Sequence, residues 1–196
     1  MTRNIAIIQG NPDPHGKHFG HALARAYAEG ANAAGHRVET IQVASLEFPL
    51  LQTKEDFENG TPPDSIRQAQ EIIRRAQHLV ILYPLWLGGM PAILKGFFEQ
   101  VFRPAFITGQ HVSIGSWKNS MLKGKSARIV ITMGMPAAAY RWYYRAHSLK
   151  SLERNVLGFC GIAPIKDNLI GMVESESNTK RDRWLEKIRA LGIKGA

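Results

Sequence analysis

Apolar residues follow two alternating rhythms along this chain. Asn4–Gln9 (NIAIIQ) is a short, β-branched, almost unbroken apolar run that stops at Gly10. Such a run suits a strand buried on both faces. Phe19, Leu23, Ala26, Tyr27, Gly30 and Ala34 then recur at helical spacing, and Gly35 is placed to stop that helix. Residues 37–43 (RVETIQV) alternate and suit an edge strand. Residues 44–63 carry prolines and acids with little periodicity and read as a long surface loop. Pro62-Pro63-Asp64 predicts a helix entry with Asp64 as N-cap, followed by a buried stripe of Ile66, Ala69, Ile73 and Ala76. Residues 78–83 (HLVILY) form a second wholly apolar strand. Pro91 suits the first turn of the next helix, whose apolar face is Leu94, Phe97, Phe98, Val101 and Phe102. Residues 103–125 read as irregular, with Gly109, Gly115 and Gly124. A third buried strand spans 127–132 (ARIVIT), a loop 133–136, and a mostly helical segment 137–157. A weaker strand at 164–172 precedes a last helix, capped at Asn178-Thr179, that carries Trp184, Leu185, Ile188 and Leu191.

The resulting β-α-β-α-β-α-β-α-β-α order predicts an α/β protein: a parallel sheet with helices on both faces. Right-handed crossovers leave few topologies. Central positions for the two most apolar early strands and a peripheral RVETIQV fit a flavodoxin-like three-layer sandwich. Its five-stranded parallel sheet has the order 2-1-3-4-5. No internal repeat, low-complexity tract or linker interrupts the pattern, so a single domain over residues 1–196 is expected.

Composition narrows the class. Hydrophobic residues at 44% and charged residues at 21% are globular usage and argue against disorder. The single cysteine, Cys160, excludes an internal disulfide framework and suits a reducing compartment. No signal-peptide pattern and no bilayer-length apolar run is apparent, so a cytoplasmic protein without membrane insertion is expected. The net charge of +9 is unevenly spread. Lys118, Lys123, Lys125, Arg128, Arg141, Arg145, Lys150 and Arg154 crowd one stretch against Glu153 alone, while Glu47 to Glu58 is acidic. A solvated basic face and an anion-attracting rim both explain this. No nucleic-acid-binding motif accompanies the charge, so nucleic acid is not an expected partner.

In an open parallel sheet, ligands sit beyond the carboxyl ends of the strands, where the strand order reverses. That rule selects three loops: residues 10–18, 84–90 and 133–140. The first, within GNPDPHGKHF, leads into a helix N-terminus, where free N–H groups and the helix dipole attract phosphate. Lys17 and His18 stand there as added donors; an ordinary strand-to-helix turn is the competing reading. The second carries Leu85, Trp86 and Leu87 before Gly88-Gly89. Apolar side chains beside bare backbone suit a flat, half-apolar ligand; core packing or a subunit contact is the alternative for Trp86. Other chemistries lack support: no cluster has metal-ligand spacing, and Ser148 and Ser151 lack a nucleophile elbow. Cys160 reads as a packed core residue.

The segment YPLWLGGMPAILKGFFEQVF resembles the NAD(P)H:quinone oxidoreductase branch of the flavodoxin-like proteins. That branch has a Pro-Leu-Trp-like loop before a Pro-Ala-Ile-Leu-Lys-Gly motif, here Pro84 to Phe98. The resemblance covers nearly the whole chain and is closest in length to the shorter bacterial members. It implies flavin contacts from His18, Phe19, Pro84, Leu85, Trp86, Leu87, Gly88, Thr132 and Gly134. Tyr140 is implied near the flavin's pyrimidine side with His147 after it, these two being the catalytic candidates. The chain departs from the family at His18-Phe19-Gly20, where many members have Ser-Phe-Asn. It departs again at Met133-Gly134-Met135-Pro136, which replaces part of a two-glycine signature. His147 is displaced by about one residue from the family histidine.

The resemblance implies a ping-pong cycle in which NAD(P)H reduces the flavin at N5 and a quinone or similar electrophile reoxidises it. FMN is the expected flavin, with FAD as the alternative. The expected partners are a small-molecule acceptor and a second copy of the chain in a homodimer. Two other classes compete. One is a flavin-binding ancillary subunit of a potassium efflux system, which would bring a transporter partner. The other is an electron-carrying flavodoxin, against which the basic balance and the aromatic loop speak.

Overall fold

The computed structural model describes residues 2–109, 120 and 122–196. Gly115 and Lys118 of the preceding reading lie outside them. Five strands, β1 (Asn4–Gln9), β2 (Arg37–Gln42), β3 (His78–Pro84), β4 (Ser126–Thr132) and β5 (Ile165–Ile170), form one sheet in the order β2-β1-β3-β4-β5. Every neighbouring pair is parallel. Among the described residues, seven α-helices accompany them: α1 (Phe19–Ala33), α2 (Lys54–Asn59), α3 (Asp64–Arg75), α4 (Ala92–Val101), α5 (Pro104–Thr108), α6 (His147–Lys150) and α7 (Asn178–Lys194).

The two-residue period of a strand sorts its side chains between two cores. Ile5 and Ile7 join Val80, Leu82 and Val130 on the face covered by α1 and α7, with Leu23, Tyr27 and Ile188. Ala6 and Ile8 join Leu79, Ile81 and Ile129 on the other face, with Ile66 and Ile73 of α3 and Leu94 and Phe97 of α4. Burying each such large side chain stabilises by about 1.5–3 kcal/mol, which is why β1, β3 and β4 read as continuous apolar runs.

On the first face, α1 and α7 touch backbone to backbone. A Cβ on Gly30 would lie 2.1 Å from the Arg189 carbonyl oxygen, and one on Gly192 would lie 2.1 Å from that of Tyr27. Gly30 therefore sits in the apolar stripe of α1 because nothing larger fits.

Several boundaries differ from the sequence reading. The expected loop 44–63 contains α2. Its cap, Thr53, accepts from the Asp56 N–H at 3.0 Å and donates to the Asp56 carboxylate at 2.7 Å. A Thr-x-x-Asp cap sets a helix start without hydrophobic periodicity, so a periodicity test passes over it. Asp64 is the first residue of α3 rather than its cap, and pairs with Arg67. Ser177, not Asn178, precedes α7. The segment 137–157 is not one helix. A π-helical turn, Ala139–Tyr143, ends before Arg145 and Ala146, both at positive φ (53° and 49°). Then α6 leads into a second π-helical stretch, Ser151–Gly158. Left-handed backbone at two successive non-glycine residues stops helical hydrogen bonding there.

Candidate functional site

The carboxyl ends of β1, β3 and β4 open into a cleft of about 640 Å³. Its floor is set by strand register. Pro84 pairs with Thr132, and the Leu85 N–H donates to the Thr132 carbonyl at 2.8 Å. The Gly10 N–H donates to the Leu82 carbonyl at 2.7 Å, closing the β1 side. Pro84, Trp86 and His18 line the cleft from the loops that the strand-end rule selects, and Phe19 and Thr132, which the resemblance implies, line it beside them.

The loop after β1 is knitted by its own side chains. Gln9 receives the Asn11 N–H at 3.1 Å, Asn11 receives the Asp13 N–H at 2.9 Å, and Asp13 receives the His15 N–H at 2.9 Å. Gln9 also donates to the Gly20 carbonyl at 3.1 Å, tying β1 to the first turn of α1. These turns aim the loop at the helix start. His18 occupies the cap position of α1 without capping it. The first-turn N–H groups consequently lack a side-chain acceptor. The ring of His18 instead meets the Asp13 carboxylate at 2.7 Å. The His15 amide, and then the His18 ring, hold the Asp13 carboxyl below the usual carboxylate range. Lys17 also lines this end.

Arg181 reaches the same end from α7. It donates to the Val173 carbonyl at 2.7 Å and lies 5.9 Å above the Phe19 ring. Its Nε is buried without a partner among the described residues. Glu174 joins the lining because the loop after β5 is bonded to the loop after β4: the Met172 and Val173 N–H groups donate to Met135 and Met133. Asn11, Pro12, Asp13, Glu174 and Arg181 were not singled out from the sequence. The strand-end rule, extended to the fifth strand, finds Glu174; Arg181 lies in the first turn of α7 and carries no local signal.

The loop after β3 is a tight hairpin. Trp86 and Gly89 exchange two backbone hydrogen bonds, and the two residues between them have positive φ, 46° at Leu87 and 76° at Gly88. Trp86 is 55% exposed and Leu87 wholly so, whereas Leu85 packs partly against the core. Leu87 and Gly88 stand at the hairpin tip, outside the cleft lining. Gly134 borders the cleft, since a Cβ there would sit 4.0 Å from the Glu174 carboxylate.

Tyr140 and His147 are not brought to the lining. Tyr140 is 2% exposed within the core, and its hydroxyl accepts from the Leu149 N–H at 3.0 Å. His147 is exposed at the start of α6. Cys160 is buried, and burial pushes its thiol up to about 12, consistent with a core residue. No metal-binding cluster occurs among the described residues, and no helix there is long and apolar enough to cross a membrane.

The chain is 29% identical over 189 residues to an uncharacterized NAD(P)H oxidoreductase of Haemophilus influenzae, covering 93% of this chain and 91% of that one. An NAD(P)H:quinone oxidoreductase from Methanothermobacter marburgensis superimposes with a TM-score of 0.80 at 21% identity, over 98% and 96% of the two chains. An FMN-dependent NADH-azoreductase from Bacillus anthracis, solved with FMN, gives a TM-score of 0.72 at 16% identity, over 98% and 99%. The sequence pattern of the Flavodoxin_2 family, described as a flavodoxin-like fold, matches residues 3–191. With that match running almost end to end over the sheet order described above, the chain belongs to the Flavodoxin_2 family.

Proposed function

We propose that this protein is a flavin-dependent NAD(P)H oxidoreductase that reduces a quinone or a similar electrophile, with FMN as its flavin. One observation carries the reading. The cleft joins an uncapped helix start, bordered by Lys17, His18 and Arg181, to an apolar wall of Pro84 and Trp86. A phosphate needs the first feature, and a flat aromatic ring needs the second. The donor set fits FMN, and the buried unpartnered Nε of Arg181 adds a donor awaiting an anion. The FMN-bound azoreductase of the same fold supports that choice over FAD.

In this reading the α1 amides, Lys17 and His18 hold the phosphate, and Thr132 and Gly134 approach the ring edge. Trp86 covers one face. When bound, the flavin supplies two-electron transfer from a reduced nicotinamide to an acceptor. The Leu87–Gly88 tip closes the hairpin that holds Trp86 at the cleft mouth. Tyr140 acts as a positioning residue: its hydroxyl accepts from the Leu149 N–H and fixes the start of α6. A second copy of the chain would cover the exposed Trp142 and Tyr143 beside this segment.

Chromatography of the released cofactor tests the reading directly. The expected result is a yellow protein that yields FMN and consumes NADH or NADPH when a quinone is supplied. Protein that stays colourless after reconstitution and leaves reduced nicotinamide untouched would overturn it.

A further inference from the structure

The loop before α1 carries a pair that a strand-to-helix turn does not need. The His18 ring meets the Asp13 carboxylate through Nε2 at 2.7 Å. Asp13 also accepts the His15 N–H at 2.9 Å. That bond first, and then the His18 ring, hold the Asp13 carboxyl below the usual range, so it is ionised at neutral pH. A carboxylate has no hydrogen to give, so Nε2 is the donor and the tautomer is set. Nδ1 is the ring atom left over, and it has no hydrogen-bond partner among the described residues.

His18 lines the cleft beside Lys17, at the cap position of a helix whose first-turn N–H groups lack a side-chain acceptor. A neutral ring would present a lone pair at Nδ1, which repels a phosphate oxygen. A protonated ring presents an N–H there instead, and the Asp13 carboxylate favours that charged form. A serine hydroxyl, which many family members have at this place, donates at any pH, whereas a histidine changes its offer with its charge.

The charges around this ring come from three elements besides Asp13 itself. Lys17 on the same loop, Arg25 of α1 and Arg181 of α7 stand as cations, and Glu174 of the loop after β5 as an anion. His21 in the first turn of α1 has its ring centroid 6.0 Å from that of His18. It is buried, and burial first, then His18 and Arg25, hold it below the ordinary histidine value. His15 is exposed and holds Asp13 through its amide.

We infer that the Asp13–His18 pair recognises the flavin phosphate as carboxylate and imidazolium, so that flavin binding takes up one proton from solvent onto His18 Nδ1. The inference rests on the flavin reading above and deepens it. No bond of the flavin changes, and Asp13 stays ionised throughout. His18 is the phosphate-binding residue; Asp13 is a positioning residue that holds the ring and stabilises its charge.

Calorimetric titration of FMN into the flavin-free full chain, repeated in buffers of different ionisation enthalpy, counts the protons taken up. Above about pH 7 the phosphate itself is already ionised, because its second pKa is about 6. Net uptake at about pH 8 is expected with FMN and not with riboflavin, which lacks the phosphate. FMN affinity falls roughly fivefold from about pH 7 to about pH 8.5, while riboflavin affinity stays level. His18→Ser abolishes both the uptake and the slope. Asp13→Asn, which keeps the turn to His15, shrinks the uptake, and His15→Gln leaves it as in the parent. Uptake that is absent with FMN, equal with riboflavin or retained in His18→Ser overturns the inference and leaves the flavin reading standing. Parent-like uptake in Asp13→Asn removes Asp13 from it, and a chain that binds neither flavin overturns both.

Discussion

Trp86 and Gly89 bond each other twice, N–H to carbonyl in both directions at 2.9 and 2.8 Å. That pairing closes a two-residue turn whose central residues both lie at positive φ, the geometry of a type I′ hairpin. An exposed indole is thereby held in a fixed place at the cleft mouth by backbone alone.

Gly88 meets no atom within 4 Å of an added Cβ, so a side chain there is opposed only by backbone conformation. Gly88→Val is expected to lower stability by about 1–2 kcal/mol and to weaken flavin binding, whereas Gly88→Asn, which tolerates left-handed backbone, stays near the parent protein. Urea unfolding with flavin titration measures both. Equal stability of the Val and parent proteins would show that the turn is not constrained.

Trp86 is more than half exposed, so its truncation removes little of the core. Trp86→Ala is expected to keep the unfolding midpoint within about 0.5 kcal/mol of the parent. It should weaken flavin binding roughly tenfold, through loss of aromatic stacking worth about 1–1.5 kcal/mol. Fluorescence titration decides this; unchanged affinity would remove Trp86 from the site.

Backbone contact between α1 and α7 makes Gly30 the least replaceable residue on that face. Gly30→Ala must push the Arg189 carbonyl away and is expected to cost about 3 kcal/mol. Gly20→Ala, on the same helix with no atom within 4 Å of its added Cβ, should be close to neutral for stability. Thermal unfolding of the pair compares them, and similar midpoints would contradict the packing described.

Burial, aided by Arg128, Arg3 and Lys166, lowers His78 from 6.5 to about 4. Between those values the unfolded chain binds a proton that the folded chain refuses, so the unfolded state is favoured as pH falls. The contribution of His78 is fully present above about pH 6.5 and is lost toward pH 4, at up to about 1.4 kcal/mol per pH unit. His21, also lowered mainly by burial, acts in the same direction. His78→Gln should flatten stability against pH in this window in denaturant titrations. An unaltered slope would mean that His78 is protonated in the fold.

Local pattern carried the sequence a long way. Runs such as NIAIIQ and HLVILY identify strands because a two-faced buried strand has no polar position, and their relative apolarity implies the order β2-β1-β3-β4-β5. From that order, the strand-end rule reaches Pro84, Trp86 and His18, and the family resemblance adds Phe19 and Thr132; all five are in the cleft lining. Glu174 and Arg181 were missed because their arrival depends on bonds between the loops after β4 and β5. The Asp13–His18 pair depends on a fold-back of the first loop that composition does not encode.

What the amino-acid order determined by itself is the set of elements, their parallel arrangement and the end of the sheet that bears a cleft, all consequences of short-range periodicity. Tertiary structure alone decided the remaining features. Tyr140 lies inside the core and His147 outside it, although one short segment carries both. Gly30 and Gly192, 162 positions apart, both lie where helix backbones meet. Arg3, His78, Arg128 and Lys166 converge on one cavity. Such placements follow from packing between elements distant in the chain, where steric fit and burial outweigh local preference.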